Sequence, residues 1–182
     1  MTESLIEQII RDMVQPVKFI PAGMLLGTVA LVLWSVYGRI TGKKKNRGRY
    51  FLLYLTAIYL TVLLMMTIFS REPGSRQGID LGFLETLGNT VEGHAYFAEN
   101  IMLFIPYGVL LPMVFPWFQK GGNCIFSGMM VSILLETVQL LTGMGYCQLD
   151  DVVTNTTGTL IGWMVFAIIS KYLSLKPEKG RM

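Results

Sequence analysis

Five stretches of nearly unbroken apolar sequence, at 19–38, 50–70, 96–118, 124–142 and 156–172, constrain this chain more than any other feature. Each approaches the ~20 residues that a helix rising about 1.5 Å per residue needs to cross about 30 Å of hydrocarbon. Inside a bilayer no water is available to satisfy backbone N–H and C=O groups, so each stretch is predicted to be a helix. The expected fold is an all-α membrane protein, a bundle of about five transmembrane helices with an N-terminal interfacial helix. Composition agrees. Charged residues are only 15% of the chain, where soluble domains carry about a quarter.

Residues 1–18 form a separate amphipathic segment. Leu5, Ile6, Ile9, Ile10, Met13 and Val14 recur at helical spacing, with Glu3, Glu7, Arg11 and Asp12 on the other side. Such a segment is expected to lie in the membrane interface. No cleavable signal is evident, because a basic start followed at once by a short apolar stretch is missing. The single transmembrane domain is placed at 19–175 and a basic cytoplasmic tail at 176–182.

The net charge of +3 does not argue for a nucleic-acid partner, because the basic residues sit in short gaps between apolar blocks. They also divide unevenly. Lys43, Lys44, Lys45, Arg47, Arg49, Lys120, Lys171, Lys176, Lys179 and Arg181, with Arg39 at the edge, fall on one side. Arg11, Lys18, Arg71 and Arg76 fall on the other. The richer side is expected to be cytoplasmic, leaving the N-terminus outside and the C-terminus inside a bacterial plasma membrane. Of the acidic residues only Glu178 falls on the cytoplasmic side, which points weakly to function on the outer face.

Polar side chains within the spans are costly, at about 2.5 kcal/mol or more for an ionised one, and so are informative. Glu136 lies six residues before the end of its helix, and Gly128, Ser132, Glu136, Gln139 and Gly143 share one face. Small and polar residues at that period mark a side turned to other helices. Glu99 and Asn100 begin the third span, and Pro106 predicts a kink or opening near Phe104 to Pro106. Asp150, Asp151 and Asn155 precede or open the fifth, where Gly158 and Gly162 offer a close-contact surface. The long connection at 71–95 starts with Arg71, Glu72 and Arg76. In the expected topology all these polar residues gather toward the outer leaflet and form a candidate ligand-binding layer. Each also has a structural reading. Asp150, Asp151 and Glu99 are natural helix caps. Asn100, Gln139 and Asn155 are natural interhelical hydrogen bonders, and Glu136 can be a neutral structural group.

Metal and cofactor chemistry finds no support. His94 is the only histidine. Cys124 and Cys147 sit at opposite ends of one span, too far apart for a disulfide.

Four segments together resemble the VanZ family. They are Thr67-Ile68-Phe69-Ser70-Arg71-Glu72-Pro73, the run from Glu99-Asn100 to Pro106-Tyr107-Gly108, Leu135-Glu136-Thr137-Val138-Gln139, and the run from Gln148 through Asp150-Asp151 to Asn155-Thr156-Thr157-Gly158. In order and spacing they cover about residues 65–165. The resemblance implies a small bacterial membrane protein associated with resistance to teicoplanin-type glycopeptides. It maps family motif positions onto Arg71, Asn100, Pro106, Glu136, Gln139, Asp150, Asp151, Asn155 and Gly158. The family commonly carries an arginine before Gly-Tyr, where this chain has Met144, so one positive partner for the acidic residues is missing.

Three functions compete. The first is a non-enzymatic envelope protein that binds an outer-leaflet lipid, a lipid-linked cell-wall precursor or a lipoglycopeptide in an outward-facing polar pocket. The second is a membrane-embedded enzyme using paired carboxylates on an envelope lipid or glycan. No nucleophile–histidine arrangement marks it, and no catalytic residue is assigned. The third is a small transporter or flippase, for which five spans without an internal repeat are few.

Overall fold

The computed structural model describes residues 4–42, 47–69, 74, 78–82 and 90–175. Among these are five helical stretches long and apolar enough to cross a membrane.

Helix α1 spans Leu5–Val14 and opens on a reciprocal cap. The backbone N–H of Glu7 donates to Ser4 Oγ at 3.3 Å, and that of Ser4 donates to Glu7 Oε2 at 2.9 Å. A 3-10 turn over Gln15–Phe19 carries the chain into α2, Ile20–Ile40. Pro16 and Pro21 both fall at the start of a helical element, where the missing N–H has no partner to lose. Helix α3 covers Arg47–Leu64 and ends in a π-helical turn, Met65–Phe69. Helices α4 (Val91–Val114), α5 (Gly121–Thr142) and α6 (Leu149–Leu175) complete the bundle.

Two helices begin five or more residues earlier than hydropathy predicts. Helix α4 starts at Val91 rather than 96, with Thr90 Oγ1 accepting from the Gly93 N–H at 3.1 Å. Helix α6 starts at Leu149 rather than 156. Polar residues such as Glu92 and His94, or Asp150, Asp151 and Asn155, interrupt an apolar run without interrupting a helix. Glu99 therefore lies two turns inside α4 and is not its cap. Nor does Pro106 open the helix, because α4 continues through both Pro106 and Pro112. Pro106 cannot donate to the carbonyl four residues back. One position along, the Tyr59 hydroxyl donates to the Leu103 carbonyl at 2.9 Å.

Glycine sets the closest packing. A Cβ at Gly158 would strike the Ile101 carbonyl, one at Gly162 the Ile105 carbonyl, and one at Gly108 the backbone at Thr159 and Trp163. Helices α4 and α6 are thus in backbone contact over the small-residue surface that the sequence suggests. At Gly128 a Cβ would strike the Thr159 side chain, which brings α5 onto α6. Phe104, Tyr107, Leu111, Leu135 and Leu63 form the apolar centre. Much of α2 faces outward, with Leu25 68% and Leu33 65% exposed, as suits a helix against lipid.

A short parallel pairing joins the loops at one end. Ile79 and Asp80 (β1) lie beside Cys147 and Gln148 (β2). At the same end are the N-termini of α4 and α6, the C-terminus of α5 and the π turn. Arg49 lies at the opposite end, where its guanidinium donates to the Val114 carbonyl at 3.1 Å.

Candidate functional site

The face of α5 predicted from spacing is the buried one. Gly128, Ser132, Glu136, Gln139 and Gly143 are all buried, and Gly143 ends the helix at φ 65°, a conformation natural to glycine. Polar side chains then tie α5 to its neighbours. Asn155 Nδ2 of α6 donates to Ser132 Oγ at 2.9 Å, with both residues buried. Ser132 Oγ lies 3.5 Å from the Asp151 carbonyl. Gln139 Nε2 donates to the Thr67 carbonyl at 2.9 Å, reaching the π turn after α3. That turn widens the helix and leaves carbonyls turned to outside partners.

Glu136 is 3% exposed. Its Oε2 accepts from the Gln148 backbone N–H at 2.9 Å, so a carboxylate within one helix end holds the strand that leads into α6. Gln148 Nε2 in turn lies 3.5 Å from Asp80 Oδ2. Asp150 is 2% exposed, in the first turn of α6. Asp151, one residue on and half-buried, accepts from Asn100 Nδ2 at 2.7 Å, joining α6 to α4. Seven of the predicted residues are thus described, and they occupy one end of the bundle: Glu99, Asn100, Glu136, Gln139, Asp150, Asp151 and Asn155. Arg71, Glu72 and Arg76 lie outside the described residues. Asn100, Gln139 and Asn155 do act as interhelical hydrogen bonders, and the layer is in large part a structural joint.

Cys147 sits on this joint, in the strand outside the spans. Burial, reinforced by the nearby negative charges of Glu136 and Asp151, raises its thiol pKa.

A cleft opens on the α4 side of the layer. About 320 Å³ of space is walled by Arg11 and Asp12 of α1, Met66 of the π turn, and Tyr96, Glu99 and Asn100 of α4. Neither Arg11 nor Asp12 is among the predicted site residues. Helix α1 turns Gln8, Ile9, Asp12 and Met13 inward, while Ile6, Ile10 and Val14 are 68%, 59% and 59% exposed. The apolar stripe therefore divides: Ile6, Ile10 and Val14 face out, as they would in lipid, while Ile9 and Met13 turn inward and part of the polar side lies over the cleft. Asp12 Oδ1 accepts from Arg11 Nε at 3.2 Å and from Gln15 Nε2 at 3.0 Å. Glu99 differs. Its Oε1 is buried with no hydrogen-bond donor among the described residues.

Residues 51–170 match the family model described as VanZ/LLP1. The chain belongs to the VanZ/LLP1 family. Protein VanZ of Enterococcus faecium is 28% identical over 143 residues, covering 74% of this chain and 81% of that relative. No solved structure matches the chain. The VanZ/LLP1 match contains the α4–α5–α6 joint and the π turn. It begins after α1, so Arg11 and Asp12 form a wall contributed from outside the matched segment.

Proposed function

We propose that this protein contributes to resistance against teicoplanin-type glycopeptides, by holding the polar part of an outer-leaflet lipid, a lipid-linked precursor or the lipoglycopeptide in its α1–α4 cleft. Family membership and the resemblance of the chain to Protein VanZ support the resistance role. The observation that carries the binding role is the Asn100 to Asp151 hydrogen bond of 2.7 Å. It connects a residue lining the cleft to the buried joint of α5 and α6, so that occupancy of the cleft is felt by three helices. The uneven distribution of lysine and arginine supports an outward-facing cleft.

The test is expression of wild type, Asn100→Ala and Asp151→Ala, the two partners of that hydrogen bond, in a teicoplanin-susceptible host, at matched amounts in the membrane. Wild type is expected to raise the inhibitory concentration and each variant to return it toward the empty host. Full protection by both variants would remove the site from the function.

A further inference from the structure

The cleft between α1 and α4 has a charge pattern more specific than general polarity. Two carboxylates, Asp12 and Glu99, share it with one guanidinium, Arg11. Arg11 and Gln15 already donate to Asp12. Glu99 lines the cleft, and its Oε1 has no donor among the described residues. Desolvating a carboxylate without a partner is costly. A ligand group carrying both a positive charge and N–H bonds, seated in the cleft against the Glu99 carboxyl, offsets that cost by supplying counter-charge and donor together. A hydroxyl would supply only a donor, and a quaternary ammonium only a charge.

The remaining lining fits such a group on an amphiphile. Tyr96 lines the cleft, and an aromatic ring attracts a cation. Met13, Met66 and Leu103 supply apolar surface beside it. The volume suits a head group rather than a whole lipid, since small-ligand sites run from about 300 to 1,000 Å³. Outside the cleft, the exposed stripe of Ile6, Ile10 and Val14 offers an apolar flank along which hydrocarbon can lie.

We propose that the cleft receives a primary ammonium group borne by an amphiphile, with the Glu99 carboxylate as its counter-charge and hydrogen-bond acceptor. This rests on the reading of the cleft as the binding face and names the chemistry of what enters it. Both an aminoethyl phospholipid and an amine on a lipid-linked peptide present that group.

The full-length protein is purified in phosphatidylglycerol nanodiscs containing equal amounts of phosphatidylethanolamine and its N-methylated forms up to the trimethyl. Retained lipid is read by native mass spectrometry. Wild type is expected to keep the primary amine over the trimethyl form by about tenfold, the equivalent of one charge-assisted hydrogen bond. Glu99→Gln is expected to abolish that preference, and Glu92→Gln, an exposed carboxylate two turns earlier, to keep it. The methylation series on wild type decides the matter even if Glu99→Gln folds poorly. A soluble lysine-ended peptide separates the two sources. Displacement of the lipid by millimolar peptide extends the assignment to peptide amines, and failure to displace restricts it to lipid amines. Equal retention of primary and trimethyl forms by wild type overturns the proposal, as does an undiminished preference in folded Glu99→Gln. If selectivity fails while Asp151→Ala still loses protection, only the amine assignment falls. If Asn100→Ala and Asp151→Ala both protect fully, the site itself falls.

Discussion

The joint of α4, α5 and α6 and the cleft under α1 are built from the same kinds of side chain, and they are finished differently. In the joint, Asn155 meets Ser132, Asn100 meets Asp151, and Glu136 holds the Gln148 backbone. At Gly108, Gly158 and Gly162 the backbones of α4 and α6 come so close that not even a Cβ fits. The joint leaves one amide oxygen, Asn155 Oδ1, buried with no donor among the described residues. In the cleft, the oxygen in that state belongs to a carboxylate, Glu99, beside about 320 Å³ of open space. The same carboxylate chemistry thus serves cohesion in the joint and, under the proposed function, binding in the cleft. Cohesion in a membrane depends on such packing and hydrogen bonding, because lipid tails compete equally well for apolar contacts.

The largest effect expected from breaking this contrast is at the glycines. Gly158→Leu or Gly162→Val must push α6 off the carbonyls of Ile101 and Ile105, and overpacking typically costs about 1–3 kcal/mol or more. Either variant is expected to lose most folded protein in detergent melts. Gly122→Ala has open space around it and should melt as wild type.

Next comes the cleft, where function should move and stability should not. Glu99→Gln keeps the shape of the side chain and its stability should stay within about 0.5 kcal/mol of wild type. Its protection against teicoplanin should be lost. A large fall in melting temperature would show that Glu99 belongs to the joint after all.

The pairwise hydrogen bonds should be weaker than their burial suggests. A double-mutant cycle of Asn100→Ala with Asp151→Ala is expected to give a coupling near the ~0.6 kcal/mol mean of such cycles in membrane proteins, and no more than about 1.7 kcal/mol. Zero coupling would dissolve the link between cleft and joint.

The smallest effect is on Cys147. Its raised pKa leaves less thiolate at pH 7.5 than an ordinary cysteine has, so alkylation should be slow and should speed up as pH rises. Glu136→Gln removes one of the negative charges that raise it. Alkylation at fixed pH should then quicken, and an unchanged rate would place the charge elsewhere.

The joint was largely legible before the fold was known, and the cleft was not. Gly128, Ser132, Glu136, Gln139 and Gly143 sit at helical period, and such a row of small and polar residues cannot face lipid cheaply. Gly158 and Gly162 announced a close contact for the same reason. The starts of α4 and α6 were misplaced by five and seven residues, because Glu92, His94, Asp150 and Asp151 depress hydropathy while remaining good first-turn residues. Helical spacing sets Arg11 and Asp12 opposite the apolar stripe and goes no further, because amphipathicity says which residues differ, not which neighbour an interfacial helix meets. That meeting joins residues 11 and 12 to residues 99 and 100, a long-range contact with no local pattern to reveal it.

The most direct measurement compares protection with folded protein across both regions at once. Teicoplanin inhibitory concentration is plotted against folded protein in the membrane for Glu99→Gln and Asp12→Asn in the cleft, and for Ser132→Ala in the joint. The cleft variants should fall below the line set by wild type at reduced expression, and the joint variant should lie on it. Cleft variants lying on that same line would mean that the open space under α1 takes no part in what this protein does.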